Sequence, residues 1–378
     1  MTRQLMKGNE AIAEAAIRVG AKRFFGYPIT PQNEVADYLS KRLPAIGGVF
    51  VQAESEVAAS NMLFGAASSG LRVFTTSSSP GISLMQEAIS YMAGAHLPVV
   101  IVNIMRAGPG LGGILPSQSD YFQATKGGGH GDYRVLVLAP SSVQEAVDLV
   151  QLAFDLADKY RNPVMVAGDG MIGQMMEPVE FDPAKKEKTN AADGWATTGA
   201  KGRAPRIIRS LHLDPTMLEK NNIELAGKYE RMNREEVRFE EYAIESGTEI
   251  VLVAYGSMAR ICKTVIDDLR EEKIPVGLIR PISLFPFPLE EIRKVASRPN
   301  VKVFLSVEMS MGQMVEDVER AAAGQKPVRF FGRAGGIVPS PDEVAAQVRK
   351  LAAEFGKASR LSTPASRKTE GGESHVRK

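Results

Sequence analysis

A chain of 378 residues, 44% hydrophobic and 24% charged, can bury at least one large core and by its length divides into roughly two or three domains. Its 46 Lys and Arg against 44 Asp and Glu leave a net charge of +2, too balanced to point to a nucleic-acid or membrane partner. No apolar run approaches the roughly 20 residues that span a bilayer, and the N-terminus carries no signal-peptide apolar segment, so a cytoplasmic location is expected.

From residue 9 to 170 the chain alternates between two periodicities. A helix from Glu10 to about Val19 places Ile12, Ala15, Ala16 and Val19 on one face, with Asn9 as N-cap and Gly20 as C-cap. Apolar runs at 48 to 52, 71 to 75, 98 to 104, 135 to 139 and 163 to 167 are too short for helices and lack strict alternation, as strands covered on both faces do. Between them, Ile82, Met85, Ile89 and Met92, and then Val143, Ala146, Val150, Ala153 and Ala157, fall at helical spacing. An α/β fold with a doubly wound parallel sheet is expected for residues 1 to 180. Residues 181 to 245 break this pattern with Lys185-Lys186-Glu187-Lys188, the sole tryptophan Trp195 and a highly charged helix around Glu230 to Glu241, as an arm or linker does. A smaller α/β unit over 246 to 355 opens with an Ile-Val-Leu-Val-Ala strand after Glu249, turns at Gly256-Ser257 and repeats strand-like runs at 275 to 279 and 301 to 306. Residues 356 to 378, rich in Ser, Lys and Arg, are expected to form a disordered tail.

Polar chemistry gathers where strands end. In Gly26-Tyr27-Pro28-Ile29-Thr30-Pro31 the two prolines fix their own φ and hold their predecessors extended, so the Thr30 hydroxyl sits on a stiff loop, either as an aimed donor or as an ordinary turn hydroxyl. Glu54 and Glu56 of Gln-Ala-Glu-Ser-Glu-Val-Ala enter an apolar helix, where Glu56 serves either chemistry or the helix dipole. Arg106 follows the strand 98 to 104, in the crevice where open α/β sheets bind ligands. Its fork suits a carboxylate, the alternative being a surface salt bridge. Ser79-Pro80-Gly81 closes another strand and either lines a pocket or starts a helix.

Two motifs mislead. Gly108, Gly110 and Gly113 match G-x-G-x-x-G, but Pro109 stiffens the turn, Ile-Leu-Pro-Ser-Gln follows where a helix should start, and no acidic residue closes a strand about 20 residues on. The glycines suit a loop that approaches a ligand instead. Gly168-Asp169-Gly170 looks like the start of a metal–diphosphate motif, yet its matching Asn, Asn190, falls in the polar arm, and a glycine turn is the simpler reading. Cys262 is the only cysteine, which excludes an internal disulfide and an iron–sulfur cluster held by four thiolates of this chain. His96, His130, His212 and His375 lack metal-ligand spacing, and no metal site is expected.

Across these segments the chain resembles the α subunit of the 2-oxoacid:ferredoxin oxidoreductases, in particular that of the branched-chain, 2-oxoisovalerate type. The segments are Lys-Gly-Asn-Glu-Ala from 7, Gly-Tyr-Pro-Ile-Thr-Pro from 26, Gln-Ala-Glu-Ser-Glu-Val-Ala from 52, Ser-Ser-Ser-Pro-Gly-Ile-Ser-Leu-Met from 77, and the loop from Arg106 through Gly-Gly-Gly-His-Gly-Asp. The resemblance implies that residues 1 to 180 form the pyrimidine-binding domain of a thiamine-diphosphate enzyme and 246 to 355 a domain similar to the transketolase C-terminal domain. It further implies a split site. This chain would grip the aminopyrimidine, while a β subunit supplies the magnesium–diphosphate motif and an iron–sulfur cluster, alongside γ and ferredoxin-like δ subunits, coenzyme A and ferredoxin. By the same resemblance Glu56 would hydrogen-bond the pyrimidine ring nitrogen, favouring the imino tautomer that generates the ylide. Thr30 would hydrogen-bond the 2-oxoacid near its carbonyl, Arg106 would hold its carboxylate, and Ser79, Pro80 and Gly81 would line the cofactor pocket.

The loop from Ala107 to Tyr133 offers Leu111, Ile114, Leu115 and Phe122 and no arginine, which suits an apolar 2-oxoacid side chain, whereas Lys126 and Arg134 keep 2-oxoglutarate open. A scaffold subunit with a degenerate pocket and a transketolase-like transferase without an electron acceptor are the competing readings.

Overall fold

The computed structural model describes residues 3–182 and 194–361. Lys185-Lys186-Glu187-Lys188, Asn190, His375 and the tail beyond residue 361 lie outside the described residues. The chain opens with β1 (Gln4–Lys7) and α1 (Gly8–Arg18), then β2 (Arg23–Gly26), α2 (Asn33–Ala45), β3 (Val49–Gln52), α3 (Glu56–Ser68), β4 (Val73–Ser77), α4 (Ser79–Gly94) and β5 (Val99–Met105). It continues with α5 (Tyr121–Thr125), β6 (Leu136–Leu138), α6 (Val143–Tyr160), β7 (Pro163–Asp169), α7 (Gly170–Gln174) and β8 (Met176–Val179). Next come α8 (Pro215–Glu235), β9 (Phe239–Tyr242), β10 (Ile250–Val253), α9 (Gly256–Glu271), β11 (Val276–Pro281), β12 (Ser283–Phe285), α10 (Leu289–Ala296), β13 (Val303–Glu308), α11 (Met314–Ala322), β14 (Val328–Gly332) and α12 (Pro341–Leu361).

The seven-stranded sheet has the order β12-β6-β7-β5-β4-β2-β3, parallel except for β12. Every residue of β5 and β7 is buried, because α1 and α6 cover one face and α3 and α4 the other. β3 is different. It is the edge strand with Val49 and Gln52 exposed, so its continuous apolar run, expected to be covered on both faces, is covered only in part. From β2 the chain crosses to β3 on one side, then returns to β4 on the other, so the order reverses at β2/β4. That reversal opens a crevice at the carboxyl ends of these strands.

The five-stranded sheet, β14-β13-β10-β11-β9, is parallel except for β9. The segment 181 to 245 is therefore more than a linker in its described part. Asp214 caps α8, its carboxylate accepting from Thr216 N at 2.9 Å, and Leu225, Tyr229 and Met232 bury one stripe of that helix. The charged stretch expected to stay helical to Glu241 turns instead into β9, where Glu240 meets Arg280 at 2.7 Å and Lys263 at 2.6 Å. The second unit returns the exchange, since β12 pairs with β6 of the first sheet. At the C-terminus α12 continues through Leu361, past the expected start of the tail at 356.

Two further expectations change. Asn9 lies inside the first turn of α1 rather than capping it, and its buried amide donates to Pro31 O and to Glu34 Oε2, both at 2.8 Å. The C-cap of α1 is Val19, one residue before Gly20.

Candidate functional site

Four consecutive strand ends supply the crevice: β2 through loop 27–32, β3 through the start of α3, β4 through the start of α4, and β5 through Arg106. The loop after β2 is pinned on several sides. Asn9 Nδ2 and Gln174 Nε2 each donate to Pro31 O at 2.8 Å, and the buried Gln32 takes the Thr76 hydroxyl at 2.5 Å. The Thr30 hydroxyl is half-buried, with Asn33 Nδ2 3.4 Å away, and its carbonyl accepts from Arg106 Nη1 at 2.9 Å.

Ser55 caps α3, its hydroxyl accepting from Ala58 N at 3.1 Å, which sets Glu56 in the first helical turn. Glu56 is only 5% exposed, yet its carboxylate has no hydrogen bond or ion pair among the described residues. It points at the start of α4. A Cβ built on Gly81 would lie 2.5 Å from Glu56 Oε1 and 2.1 Å from Ser77 Oγ, so only glycine leaves room for that approach. The hydroxyls of Ser77 and Ser78 are likewise buried without a partner. Buried polar groups in native proteins are overwhelmingly paired, so the Glu56 carboxylate and the Ser77 hydroxyl, left over together against Gly81, form a recess suited to a ligand that carries both donors and acceptors.

Arg106 is 7% exposed and makes no salt bridge among the described residues. Its Nη1 and Nη2 donate to the carbonyls of Thr30 (2.9 Å) and Leu111 (3.0 Å), and its Nε is buried without a partner. Each Nη keeps a second N–H for a ligand. The main-chain N–H of Arg106 donates to Ser79 Oγ at 3.0 Å, and that hydroxyl donates to Asp120 Oδ2 at 2.6 Å. Asn103 Nδ2 donates to the same oxygen at 2.8 Å. Burial pushes the Asp120 carboxyl above the usual carboxylate range, against the opposing pull of Ser79, Asn103 and the Arg106 charge.

The structure therefore links Thr30, Arg106 and Ser79 by hydrogen bonds and brings Glu56 against Gly81, with Pro80 between on the first turn of α4. Ser79, Pro80, Gly108, Asp120, Gln123 and Gln313 line a neighbouring cleft of about 400 Å³. A larger groove of about 940 Å³ lies between α8 and α10 and includes none of Thr30, Glu56, Ser79 or Arg106. Lys126 and Arg134, the two cations that favoured a second carboxylate, line that groove instead. Lys126 is paired with Asp317 at 2.6 Å and Arg134 lies 5.7 Å over Phe285.

Asp120, Asn103 and Ser77 are the members that the sequence reading missed. Their signal was polarity inside otherwise apolar strands: Asn103 stands in Val-Val-Ile-Val-Asn-Ile-Met, and Thr75-Thr76-Ser77-Ser78 follows Val-Phe. The glycine loop forms no phosphate cradle opening a helix, since residues 108 to 115 are exposed and the next helix starts at Tyr121. Asp169 is the N-cap of α7, and its carboxylate also takes the Ser257 hydroxyl at 2.7 Å, so it serves as a cap and interdomain clasp. Among the described residues no group of three His, Cys, Asp or Glu side chains could hold a metal. Cys262 is buried, and burial pushes its thiol up to about 12.

Residues 14–242 match the family described as "Pyruvate flavodoxin/ferredoxin oxidoreductase, thiamine diP-bdg", and residues 248–344 match "Pyruvate:ferredoxin oxidoreductase core domain II". The chain is 49% identical over 354 residues to the ketoisovalerate oxidoreductase subunit VorB of Methanothermobacter marburgensis, covering 94% of this chain and 99% of that protein. It is 36% identical over 372 residues to the 2-oxoglutarate synthase subunit KorA of Methanothermobacter thermautotrophicus, covering 92% and 98%. Among solved structures, the 2-oxoglutarate:ferredoxin oxidoreductase from Magnetococcus marinus with 2-oxoglutarate, coenzyme A and succinyl-CoA bound is similar with a TM-score of 0.83 at 26% identity. The match covers 92% of this chain and 65% of that longer one.

Proposed function

The chain belongs to the 2-oxoacid:ferredoxin oxidoreductase family as an α-type subunit, and we propose from that premise that it is the α subunit of a branched-chain enzyme acting on 2-oxoisovalerate. With coenzyme A and oxidised ferredoxin the products are the acyl-CoA, CO₂ and reduced ferredoxin. The observation that carries this reading is the Glu56 side chain, buried against Gly81 with no partner among the described residues, beside the unpaired Ser77 hydroxyl. Those residues fit the ring nitrogen and amino group of an aminopyrimidine, which supports thiamine diphosphate as the cofactor. When bound, thiamine diphosphate would supply the nucleophile and the electron sink that decarboxylation of a 2-oxoacid needs.

This chain's residues hold and orient. Glu56 shares a proton at its carboxylate with the pyrimidine ring. Ser79, Pro80 and Gly81 line the recess, and Gly81 keeps the approach to Glu56 open. The Thr30 hydroxyl addresses the carbonyl region of the 2-oxoacid, and the remaining N–H groups of Arg106 address its carboxylate, both held by the shared Thr30–Arg106 hydrogen bond. The exposed Leu111, Ile114 and Leu115, together with the engagement of Lys126 and Arg134 elsewhere, support an apolar substrate side chain over 2-oxoglutarate. The metal–diphosphate motif and an iron–sulfur cluster are assigned to a β subunit, accompanied by γ and ferredoxin-like δ subunits, and the complex to the cytoplasm. No helix among the described residues is long and apolar enough to cross a membrane.

The test is anaerobic co-purification of the tagged chain with its native partners, followed by reduction of a ferredoxin analogue with 2-oxoisovalerate, 2-oxoglutarate or pyruvate plus coenzyme A. The expected result is coenzyme-A-dependent reduction fastest with 2-oxoisovalerate, and a loss of about 100-fold or more in turnover on Glu56→Gln. A preference for 2-oxoglutarate would move the substrate assignment, and unchanged turnover in Glu56→Gln would favour a scaffold role.

A further inference from the structure

We propose that Asp120 is a positioning residue for the 2-oxoacid, acting through Ser79 on the main chain of Arg106; the proposal rests on the reading of Arg106 as the carboxylate holder. Asp120 is 8% exposed, and its side-chain hydrogen bonds among the described residues go to Ser79 and Asn103, not to Thr30 or Glu56. Its Oδ2 collects the Ser79 hydroxyl at 2.6 Å and the Asn103 amide at 2.8 Å, so the single hydroxyl proton of Ser79 is committed to Asp120. The Ser79 oxygen is thereby turned to accept the Arg106 N–H at 3.0 Å. Released from Asp120, the same hydroxyl would swing to the Arg106 carbonyl, 3.2 Å away. Arg106 begins the loop that returns at Pro116, and its guanidinium is fastened to Thr30 and Leu111, so a shift of its main chain moves the fork.

Asp120 is itself held by the second domain. Gln313 accepts Phe122 N–H at 2.8 Å and donates to Ser119 O at 2.7 Å, and Asp317 takes the Tyr121 hydroxyl at 2.7 Å. The loop between β13 and α11 thus braces both sides of Asp120. The second domain thereby acquires a part in substrate positioning besides assembly.

The experiment compares Asp120→Ala, Asp120→Asn and Arg106→Gln, singly and as the Asp120→Ala/Arg106→Gln double variant, in the assembled complex. KM for the 2-oxoacid, kcat and thiamine diphosphate retention are read for each. Asp120→Ala should raise KM about tenfold with cofactor retention unchanged, and Asp120→Asn should recover part of it because its amide oxygen still accepts from Ser79. In the Arg106→Gln background Asp120→Ala should add little. Independent, additive effects, or a KM untouched by Asp120→Ala, would overturn the relay. If Arg106→Gln alone left KM unchanged, the reading of Arg106 would fail and take the relay with it. Should Asp120→Ala not fold, Ser79→Ala cuts the same link without touching the carboxylate, and the same rise and non-additivity are expected; their absence would overturn the proposal.

Discussion

Glu56 shows how one side chain can be legible in type and illegible in surroundings. A glutamate at the mouth of an apolar helix announces a buried carboxylate, but nothing in the chain order of residues says that Gly81, 25 positions on, will face it. The contact gives a direct prediction. Gly81→Ala puts a methyl within 2.1 Å of Ser77 Oγ and 2.5 Å of Glu56 Oε1, and the φ of Gly81 is not the obstacle, so the cost falls on the recess. The assembled Gly81→Ala complex is expected to lose bound thiamine diphosphate on gel filtration while keeping its far-UV circular dichroism. Arg106 carries the opposite lesson. Its place at a strand end was readable, whereas the use of its two Nη groups to hold the carbonyls of Thr30 and Leu111 follows only from the loops folding back on it.

At the scale of elements, the long buried strands and the α1, α4 and α6 periodicities were readable because burial on both faces leaves near-continuous apolar runs. α8 and β9 were not. α8 buries only Leu225, Tyr229 and Met232, and β9 is Phe-Glu-Glu-Tyr, whose Glu240 is accommodated by Arg280 and Lys263 of neighbouring elements. The docking of α8 also makes a pH-dependent joint. Lys228 Nζ lies 2.8 Å from His96 Nδ1 and donates to Arg161 O at 3.0 Å, and Asn221 meets His96 Nε2 at 2.9 Å. Burial, then the Arg161 charge, brings the Lys228 amine down to about 7; burial, then Lys228, lowers His96. Glu224 opposes both shifts.

In the unfolded chain Lys228 titrates near ~10.4, so between about 7 and 10 the undocked state binds more protons and docking strengthens as pH rises. His96 acts in the same sense at lower pH. Docking weakens as pH falls through its unfolded value of about 6.5, because the buried ring must charge. The only tryptophan, Trp195, reports on this joint, since Arg161 lies 4.5 Å over its ring. Its fluorescence under mild denaturant should show retained docking increasing from pH 7 to 10 and falling below about 6.5. Lys228→Met should flatten the upper limb, and an unchanged upper limb would count against this account.

Across the whole molecule the two sheets are laced together rather than merely adjacent. β12 completes the first sheet, β9 completes the second, and the buried Arg280 joins Glu145 of α6 to Glu240 of β9. Glu308, at the end of β13, accepts main-chain N–H groups from Gln313, Met314 and Val315 and so caps α11, which makes it a structural residue of that joint. Gln118 ties the two units together. Fully buried, it exchanges hydrogen bonds with Met309 through both main chain and side chain, and with Tyr255 at 2.8 and 3.1 Å. Gln118→Ala would strand the Met309 amide without a partner, at a cost of about 1–3 kcal/mol, and leave the Tyr255 carbonyl with the Ala259 N–H alone, and should lower the urea midpoint of the chain accordingly. The alternation of buried strands and amphipathic helices through residues 9 to 170, and the strand ends that carry Thr30, Glu56, Ser79 and Arg106, were determined by the sequence alone, because periodicity and turn chemistry are local. Which strands cross between units, how Asp120 reaches Arg106 through Ser79, and why Glu56 is left without a protein partner were decided only by tertiary structure. Those contacts join residues far apart in the chain, and their energies come from burial and pairing that no local pattern encodes.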